Sequence, residues 1–252
     1  MLDDSDPSTT TDASGQYQFG DLESGAYIVR QELTQGVVQT SPDVQESFLY
    51  AFDRTTNPDQ ILRLDPATGN VLSTIPSPVD LNANFIGMAF DGSSLFLADA
   101  QTDSLYEVDP STGSLVDSDY LNKDIDGVAA LNGKVYLSNP FSNKIFEFDP
   151  VTDTFTNEYF VSDGSTTFDL VGGLAAFENP DQLVATTGSN RIVFFDPATG
   201  VVQDSFSHSG QSDIGAAVVG QHLYLTYDGP TYFGAVIFNR SGGYVDSFVI
   251  NN

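Results

Sequence analysis

The sequence predicts an all-β protein built from a repeated unit, and two observations lead to that prediction. An alternating apolar run, then Asp-Pro-x-Thr-Gly or a close variant, then a second alternating run recur along the chain. The anchor residues of the copies are 44, 40, 47 and 43 residues apart, at Asp65, Asp109, Asp149, Asp196 and Asn239. A period near 40 to 45 residues with strand-only content is typical of β-propeller blades.

The repeated stretch is interpreted as a hairpin turn. Proline at the second position presets φ for a type I turn, and the preceding Asp side chain can accept a main-chain N–H two residues on. Glycine suits the left-handed residue that closes such a hairpin, and Asp153, which replaces it in the third copy, tolerates that conformation. A ligand-binding role is the alternative. The predicted turn residues are Asp65, Gly69, Asp109, Gly113, Asp149, Asp196 and Gly200.

The N-terminal residues 1–42 are expected to form a separate region. Residues 1–14 are polar and predict disorder, whereas Tyr17, Phe19 and the run from Ala26 to Arg30 alternate as strands do. Residues 11–29 fit the pattern Thr-Asp-x-x-Gly-x-Tyr-x-Phe-x-x-Leu-x-x-Gly-x-Tyr-x-Val. This stretch resembles the last third of a B-type repeat domain of the serine-aspartate and collagen adhesins. The resemblance implies a partial β-sandwich on a cell-surface protein, and we expect the chain to be a fragment.

Residues 47–252 are predicted to form the propeller, in units of about 47–78, 84–120, 125–161, 170–207 and 213–250. Each unit reads as four hairpin-connected strands, except that the first offers only three and lacks an evident innermost strand. The innermost strands carry Gly-x-Ala, which suits close packing at the axis; a narrow axial channel for a small ligand is the alternative. Their glycines are Gly87, Gly127, Gly173 and Gly215.

Residues 47–250 resemble the NHL, YVTN and quinoprotein-like propeller repeats. The resemblance rests on these inner strands and on the motifs that follow them, Leu-x-Leu-Ala-Asp and Ile-x-x-Phe-Asp-x-x-Thr-Gly. The resemblance implies the fold and leaves the function open, because such repeats serve enzymes, sensors and scaffolds. Quinone-dependent dehydrogenases of this kind generally use tryptophan, which the chain lacks. The related lyases use a histidine, and His208 and His222 occupy different strand levels, so we interpret both as surface or strand-end residues.

Candidate chemistry is confined to carboxylates and loop aromatics. Four carboxylates near the ends of the inner strands could serve a site at a channel mouth: Asp91, Asp126, Glu178 and Asp213. Without cysteine there is neither a disulfide nor a thiolate metal site. No cofactor is expected. The alternative is a calcium ion held by residues 3–6 or 122–127, for which we assign no individual ligands. The loop aromatics suit protein or glycan recognition, or packing between blades: Tyr120, Phe141, Tyr159, Phe160, Tyr227, Tyr232 and Phe233.

The charge of the chain limits its partners. Thirty-five Asp and Glu residues against eight Lys and Arg give a net charge of -27. Such a charge repels phosphate backbones and anionic lipid, so neither nucleic acid nor a membrane is expected as a partner. No apolar run approaches the length of a membrane span. A salt-rich environment and calcium dependence both explain the charge, and the sequence favours neither.

These observations predict an extracellular or cell-surface protein whose B-type region acts as a stalk. The propeller is expected to bind an extracellular protein or glycan through its loop face and to catalyse no reaction. The alternatives are a propeller lyase or hydrolase with its site at the mouth of the channel, and a structural spacer. The residues that line the channel discriminate between them: converging carboxylates favour an enzyme, and small apolar residues favour binding or spacing.

Overall fold

The computed structural model describes residues 48–53, 56–79, 86–207, 213–228 and 233–250. The chain divides into two units, Met1–Gln45 and Glu46–Asn252, and every described residue belongs to the second. The predicted B-type strands in residues 1–42 therefore lie outside the described residues. All regular secondary structure in the described part is β-strand, which confirms the all-β class.

The strands form five antiparallel sheets, each following chain order from the molecular axis outward. We call these sheets blades 1 to 5. Blade 1 contains β1 (Leu49–Asp53), β2 (Gln60–Leu64) and β3 (Val71–Pro76). Blade 2 contains β4 (Ile86–Phe90), β5 (Leu95–Asp99), β6 (Ser104–Val108) and β7 (Leu115–Tyr120). Blade 3 contains β8 (Gly127–Leu131), β9 (Lys134–Asn139), β10 (Lys144–Asp149) and β11 (Thr154–Phe160). Blade 4 contains β12 (Leu170–Phe177), β13 (Gln182–Thr187), β14 (Arg191–Phe195) and β15 (Val202–Ser207). Blade 5 contains β16 (Asp213–Val219), β17 (His222–Asp228), β18 (Phe233–Asn239) and β19 (Tyr244–Ile250).

Burial follows the position of a strand within its blade. The second strand of blade 2, Leu95–Asp99, is buried at every residue, because neighbouring blades cover both of its faces. This explains its continuous apolar run, which a sheet with one solvated face would not carry. The outer strand of the same blade, Leu115–Tyr120, is almost wholly exposed and reads as mostly polar. The hydrophobic core therefore lies between the blades.

Five apolar clusters join the blades in a closed ring. Four of them join blades that are consecutive in the chain. The fifth packs Leu49, Leu62 and Leu64 of blade 1 against Tyr224 and Ile237 of blade 5. Because the last blade packs against the first, the ring closes with five blades. This confirms the predicted propeller, including a first blade with three strands among the described residues.

Candidate binding face and channel

The ring has two faces that carry different loops. On one face, which we call the entry face, the inner strands begin, and loops 100–103, 121–126, 140–143, 161–169 and 188–190 lie there. Hydrogen bonds join neighbouring loops of this face: Leu121 N–H to the Asp103 carbonyl at 2.7 Å, and Asn143 Nδ2 to Asp169 Oδ1 at 3.0 Å. The hairpins that join the first two strands of blades 2 to 5 lie at the opposite end of the inner strands, on the face that we call the turn face. Lys134 and Asp149 form an ion pair there.

The inner-strand glycines lie where neighbouring inner strands approach most closely. A Cβ on Gly127 would be 2.1 Å from the Gly172 carbonyl oxygen of blade 4. A Cβ on Gly87 would be 2.7 Å from the Asp126 carbonyl oxygen of blade 3. Real Cβ atoms do not approach backbone oxygen so closely, so only glycine allows this spacing.

Sequence reasoning missed the hydroxyl groups that face these glycines. The Ser138 hydroxyl accepts the Gly127 N–H at 2.9 Å, and the Thr186 hydroxyl accepts the Gly173 N–H at 3.1 Å. Both hydroxyl residues are buried in second strands. The signal was present in the sequence, because Ser138, Thr186 and Thr226 each follow an apolar triplet at the same place in their unit.

A cavity of about 130 Å³ occupies the channel on the turn-face side of these glycines. Each blade contributes three consecutive residues of its axial strand to the lining: 48–50, 88–90, 128–130, 174–176 and 216–218. The lining side chains are small or apolar, apart from the Tyr50 hydroxyl. The Tyr50 ring lies 5.2 Å from that of Phe90, and burial raises the pKa of Tyr50 against the opposing effect of Arg63.

The four predicted channel-mouth carboxylates do not all lie at one end of the channel. Asp126 and Asp213 stand at the starts of inner strands, on the entry face, and the Asp213 side chain lies outside the described residues. Asp91 and Glu178 follow the ends of inner strands, so they lie at the other end of the channel. Asp91 Oδ1 accepts the N–H groups of Ser93 and Ser94 and so caps its own hairpin. These four residues therefore belong to two separate ends of the channel.

Asp126 differs from the other carboxylates in its surroundings. Its Oδ1 atom is inaccessible to solvent and has no hydrogen-bond partner. Its main chain is held in place, because its N–H donates to the Ser138 carbonyl at 2.9 Å. Burial raises the pKa of the Asp126 carboxyl above its ordinary value, because the charged form loses solvation.

Two aromatic side chains are exposed at the entry-face loops of blades 2 and 3, and a third, Phe160, is exposed beside the Asp-Pro turn of blade 4. Phe141 lies in loop 140–143 and is 81% exposed, Tyr120 is 72% exposed and Phe160 is 50% exposed. Tyr159, by contrast, packs between blades 3 and 4 and donates its hydroxyl to the Pro197 carbonyl at 2.6 Å. The side chains of Tyr227, Tyr232 and Phe233 lie outside the described residues, as does His208. His222 is exposed in the hairpin that joins β16 and β17.

Each Asp-Pro turn is closed by the side chain of its own aspartate and by a residue at positive φ. Asp65 Oδ1 accepts the Ala67 N–H at 2.7 Å, and Gly69 has a φ of 70°. The aspartates at the same place in the next three copies accept the corresponding N–H: Asp109 at 2.7 Å, Asp149 at 2.9 Å and Asp196 at 3.0 Å. The carboxylates thus have turn partners of their own.

The left-handed residue of each turn also contacts the outer strand of the preceding blade, which we call the turn contact. A Cβ on Gly69 would lie 2.2 Å from the Phe248 ring of blade 5. The same approach recurs at Gly113 on Ile75, at Gly200 on Tyr159 and at Gly242 on Phe206. Glycine is therefore required by the neighbouring blade as well as by φ.

Blade 3 breaks this pattern with an acidic cluster. Asp153, at φ 52°, replaces the turn glycine, and Asp119 of blade 2 replaces the apolar side chain that it would contact. The carboxylates of Asp117, Asp119 and Asp153 lie within 4.8 Å of one another. Burial, and then Asp153, Asp117 and Glu107, raise the pKa of Asp119. Among the described residues this is the group that could hold a metal ion. The predicted calcium loop 122–127 does not coincide with it.

Comparison with known proteins supports the fold alone. No protein-family model and no curated protein sequence matches the chain. The glutaminyl cyclase of Myxococcus xanthus is similar in structure, with a TM-score of 0.54 and 15% identity over 77% of this chain and 84% of that protein. Hydrazine synthase of Kuenenia stuttgartiensis aligns with a TM-score of 0.48 and 20% identity over 69% of this chain. The chain spans 51% of the length of that synthase chain. The described part of the chain contains no helix that could cross a bilayer.

Proposed function

We propose that this propeller is a non-catalytic binding module of an extracellular or cell-surface protein, and that it binds a protein or glycan through its entry face. The observation that carries the proposal is the exposure of Phe141 and Tyr120 on that face, at 81% and 72%. Rigid aromatic rings give a large contact area at low cost in conformational entropy, which suits recognition. The small apolar lining of the channel supports binding rather than catalysis.

The charge of the chain and the B-type resemblance support the extracellular assignment. A net charge of -27 keeps the molecule soluble and away from anionic lipid and nucleic acid. The B-type pattern of residues 11–29 belongs to a family of surface proteins, in which such domains act as stalks. Under this proposal the region before residue 47 holds the propeller away from the cell surface.

Binding to immobilised glycans and to purified extracellular proteins tests the entry face. We expect Phe141→Ala combined with Tyr120→Ala to weaken binding by about tenfold or more, as truncation of central aromatic anchors does. Tyr244→Ala is the matched control, because Tyr244 is an aromatic residue that is 64% exposed but lies on the outer strand of blade 5, which is not a neighbour of blade 2 or blade 3. Equal binding by the double variant and the control would contradict the proposal.

A propeller enzyme is the second candidate, and Asp126 is the observation that favours it. A buried carboxyl is a candidate general acid, because burial raises the pKa of Asp126 and so favours its protonated form. On this candidate, Asp126→Asn abolishes a hydrolase or lyase activity at the entry-face mouth of the channel and leaves binding intact. An activity that survives this substitution would exclude Asp126 from the chemistry.

A further inference from the structure

The outer strand of each blade presents a free edge, and free edges are templates for the addition of another strand. In four of the five outer strands, the same kind of side-chain hydrogen bond blocks the addition of another strand. Each of these strands has a β-bulge near its start, at Val116, Thr156, Gln203 and Val245. The side chain of the Asp or Asn directly after the bulge accepts the main-chain N–H of the next residue: Asp117 at 2.8 Å, Asn157 at 2.9 Å, Asp204 at 2.7 Å and Asp246 at 2.8 Å. An N–H that is occupied in this way cannot pair with an incoming strand.

The outer strand of blade 1, β3, lacks this block. Ser73 stands at the equivalent register position, opposite Arg63, and no described side chain accepts the Thr74 N–H. β3 is also the one outer strand without an Asp, Asn or Glu side chain. Leu72 is 54% exposed beside this edge. Pro76 has no N–H and ends the usable edge, so within the described part of the chain the outward main-chain groups of residues 71–75 have no hydrogen-bond partner.

The charges around β3 indicate what can pair with it. Two Asp-Pro turns flank the strand: Asp65 precedes it, and the turn of Asp109 reaches its far end, where a Cβ on Gly113 would be 2.5 Å from the Pro76 carbonyl oxygen. Hydrogen bonds from Ser111 lower the pKa of Asp109 and keep it ionised. A second copy of this chain brings another net charge of -27 and is repelled. An extended segment with basic ends and an uncharged middle places its charges beside these two carboxylates and leaves the middle of the strand, where Arg63 of β2 stands opposite Ser73, without a second cation.

We propose that β3 is a docking edge for an extended segment of another protein, which pairs through its main chain with residues 71–75 and carries Lys or Arg at its ends. This surface is separate from the entry face and does not depend on the proposed function. The main-chain hydrogen bonds give affinity, and the flanking carboxylates select for basic ends.

Fluorescence anisotropy with a labelled peptide tests the edge in the full 252-residue chain. The probe is Lys-Lys-Thr-Val-Thr-Val-Lys-Lys, and the comparison peptide has Glu in place of each Lys. The diagnostic variant is Ser73→Asp, which introduces the residue found at this position in blades 2, 4 and 5. Because it adds a negative charge, non-specific attraction to the basic probe would increase, whereas a block of the Thr74 N–H reduces binding.

We expect the chain to bind the basic probe and Ser73→Asp to bind it at least about fivefold more weakly, as the loss of one or more hydrogen bonds implies. Ser207→Asp, which adds the same charge to the outer strand of blade 4, binds like the unaltered chain. N-methylation of alternate probe residues on the pairing edge abolishes binding. The proposal is overturned if the unaltered chain does not bind the probe, if Ser73→Asp binds it equally or more tightly, or if the N-methylated probe still binds.

Discussion

Asp153 shows how one side chain alters a contact that the other blades repeat. In four turn contacts glycine meets an apolar side chain or main chain of the preceding blade, whereas Asp153 meets the carboxylates of Asp117 and Asp119. A non-glycine residue at positive φ costs about 1–2 kcal/mol, although aspartate costs less than most residues. Like charges on an exposed seam add a few tenths to about 1 kcal/mol. We therefore expect the turn contact between blades 2 and 3 to be the weakest of the five.

We expect Asp153→Gly to raise the free energy of unfolding by about 1 kcal/mol, because it removes both the strain and one carboxylate. Urea unfolding in EDTA measures the change in the metal-free protein. Asp153→Asn is the matched variant, since it keeps the shape and φ preference and removes the charge alone. A glycine variant less stable than the unaltered chain would show that Asp153 makes a favourable contact.

Asp126 predicts a pH dependence of stability with a defined sign. Its folded pKa is raised, so the folded state holds a proton more tightly than the unfolded chain. The contribution of the Asp126 carboxyl to the free energy of unfolding is fully present below its pKa in the unfolded chain. It is lost as the pH rises through its pKa in the folded state. We expect Asp126→Asn to remove that loss. As the pH rises from 4 to 7, the free energy of unfolding of the variant should therefore rise relative to that of the unaltered chain. A difference independent of pH would contradict the raised pKa.

At the residue scale, the turn chemistry could be predicted because it is local. The side-chain oxygen of Asp65 and the left-handed Gly69 act within five residues. The second role of Gly69, its contact with Phe248, could not be predicted, because the two residues are far apart in the chain and meet only when the ring closes. The same holds for Asp126, whose burial depends on the approach of the neighbouring blade.

At the scale of strands, close approach of the inner strands makes their glycines sensitive to the smallest substitution. We expect Gly127→Ala to lower the free energy of unfolding by about 1–3 kcal/mol, the usual cost of overpacking, because its Cβ would lie 2.1 Å from the Gly172 carbonyl oxygen. Gly188→Ala is the control, since the nearest atom would be 3.6 Å away, and we expect a change within about 0.5 kcal/mol. Thermal or urea unfolding distinguishes the two variants. Equal stability of both would contradict the close packing of Gly127 against the neighbouring inner strand.

Strands were predictable from alternation, and their pairing followed from the short hairpin turns. The side-chain hydrogen bond that blocks the outer strands also had a sequence signal, because Asp-Ser recurs at 117, 204 and 246, four residues after the turn glycine in each case. Its meaning was not evident, since an exposed Asp-Ser in a strand also reads as an ordinary polar face. The hydrogen bond to the next N–H gives these residues their role.

At the scale of the whole molecule, the sequence left ring closure open. A first unit without an innermost strand is compatible with further blades as well as with five. The structure closes the ring because Leu49, Leu62 and Leu64 of blade 1 pack on blade 5. In blade 1, Phe48, directly before β1, and Tyr50 on β1 line the channel cavity in place of an inner strand.

Urea unfolding of Phe248→Ala, with Phe206→Ala as its matched counterpart, tests the closed five-bladed ring most directly. Both rings are half-buried and make the same turn contact, Phe206 with Gly242 and Phe248 with Gly69, but only Phe248 lies at the seam that closes the ring. With the ring closed, each substitution lowers the free energy of unfolding by about 2 kcal/mol, less than the full cost of truncating a core phenylalanine. If Phe248→Ala leaves stability unchanged while Phe206→Ala lowers it, blade 5 does not pack on blade 1 and the closed ring is wrong.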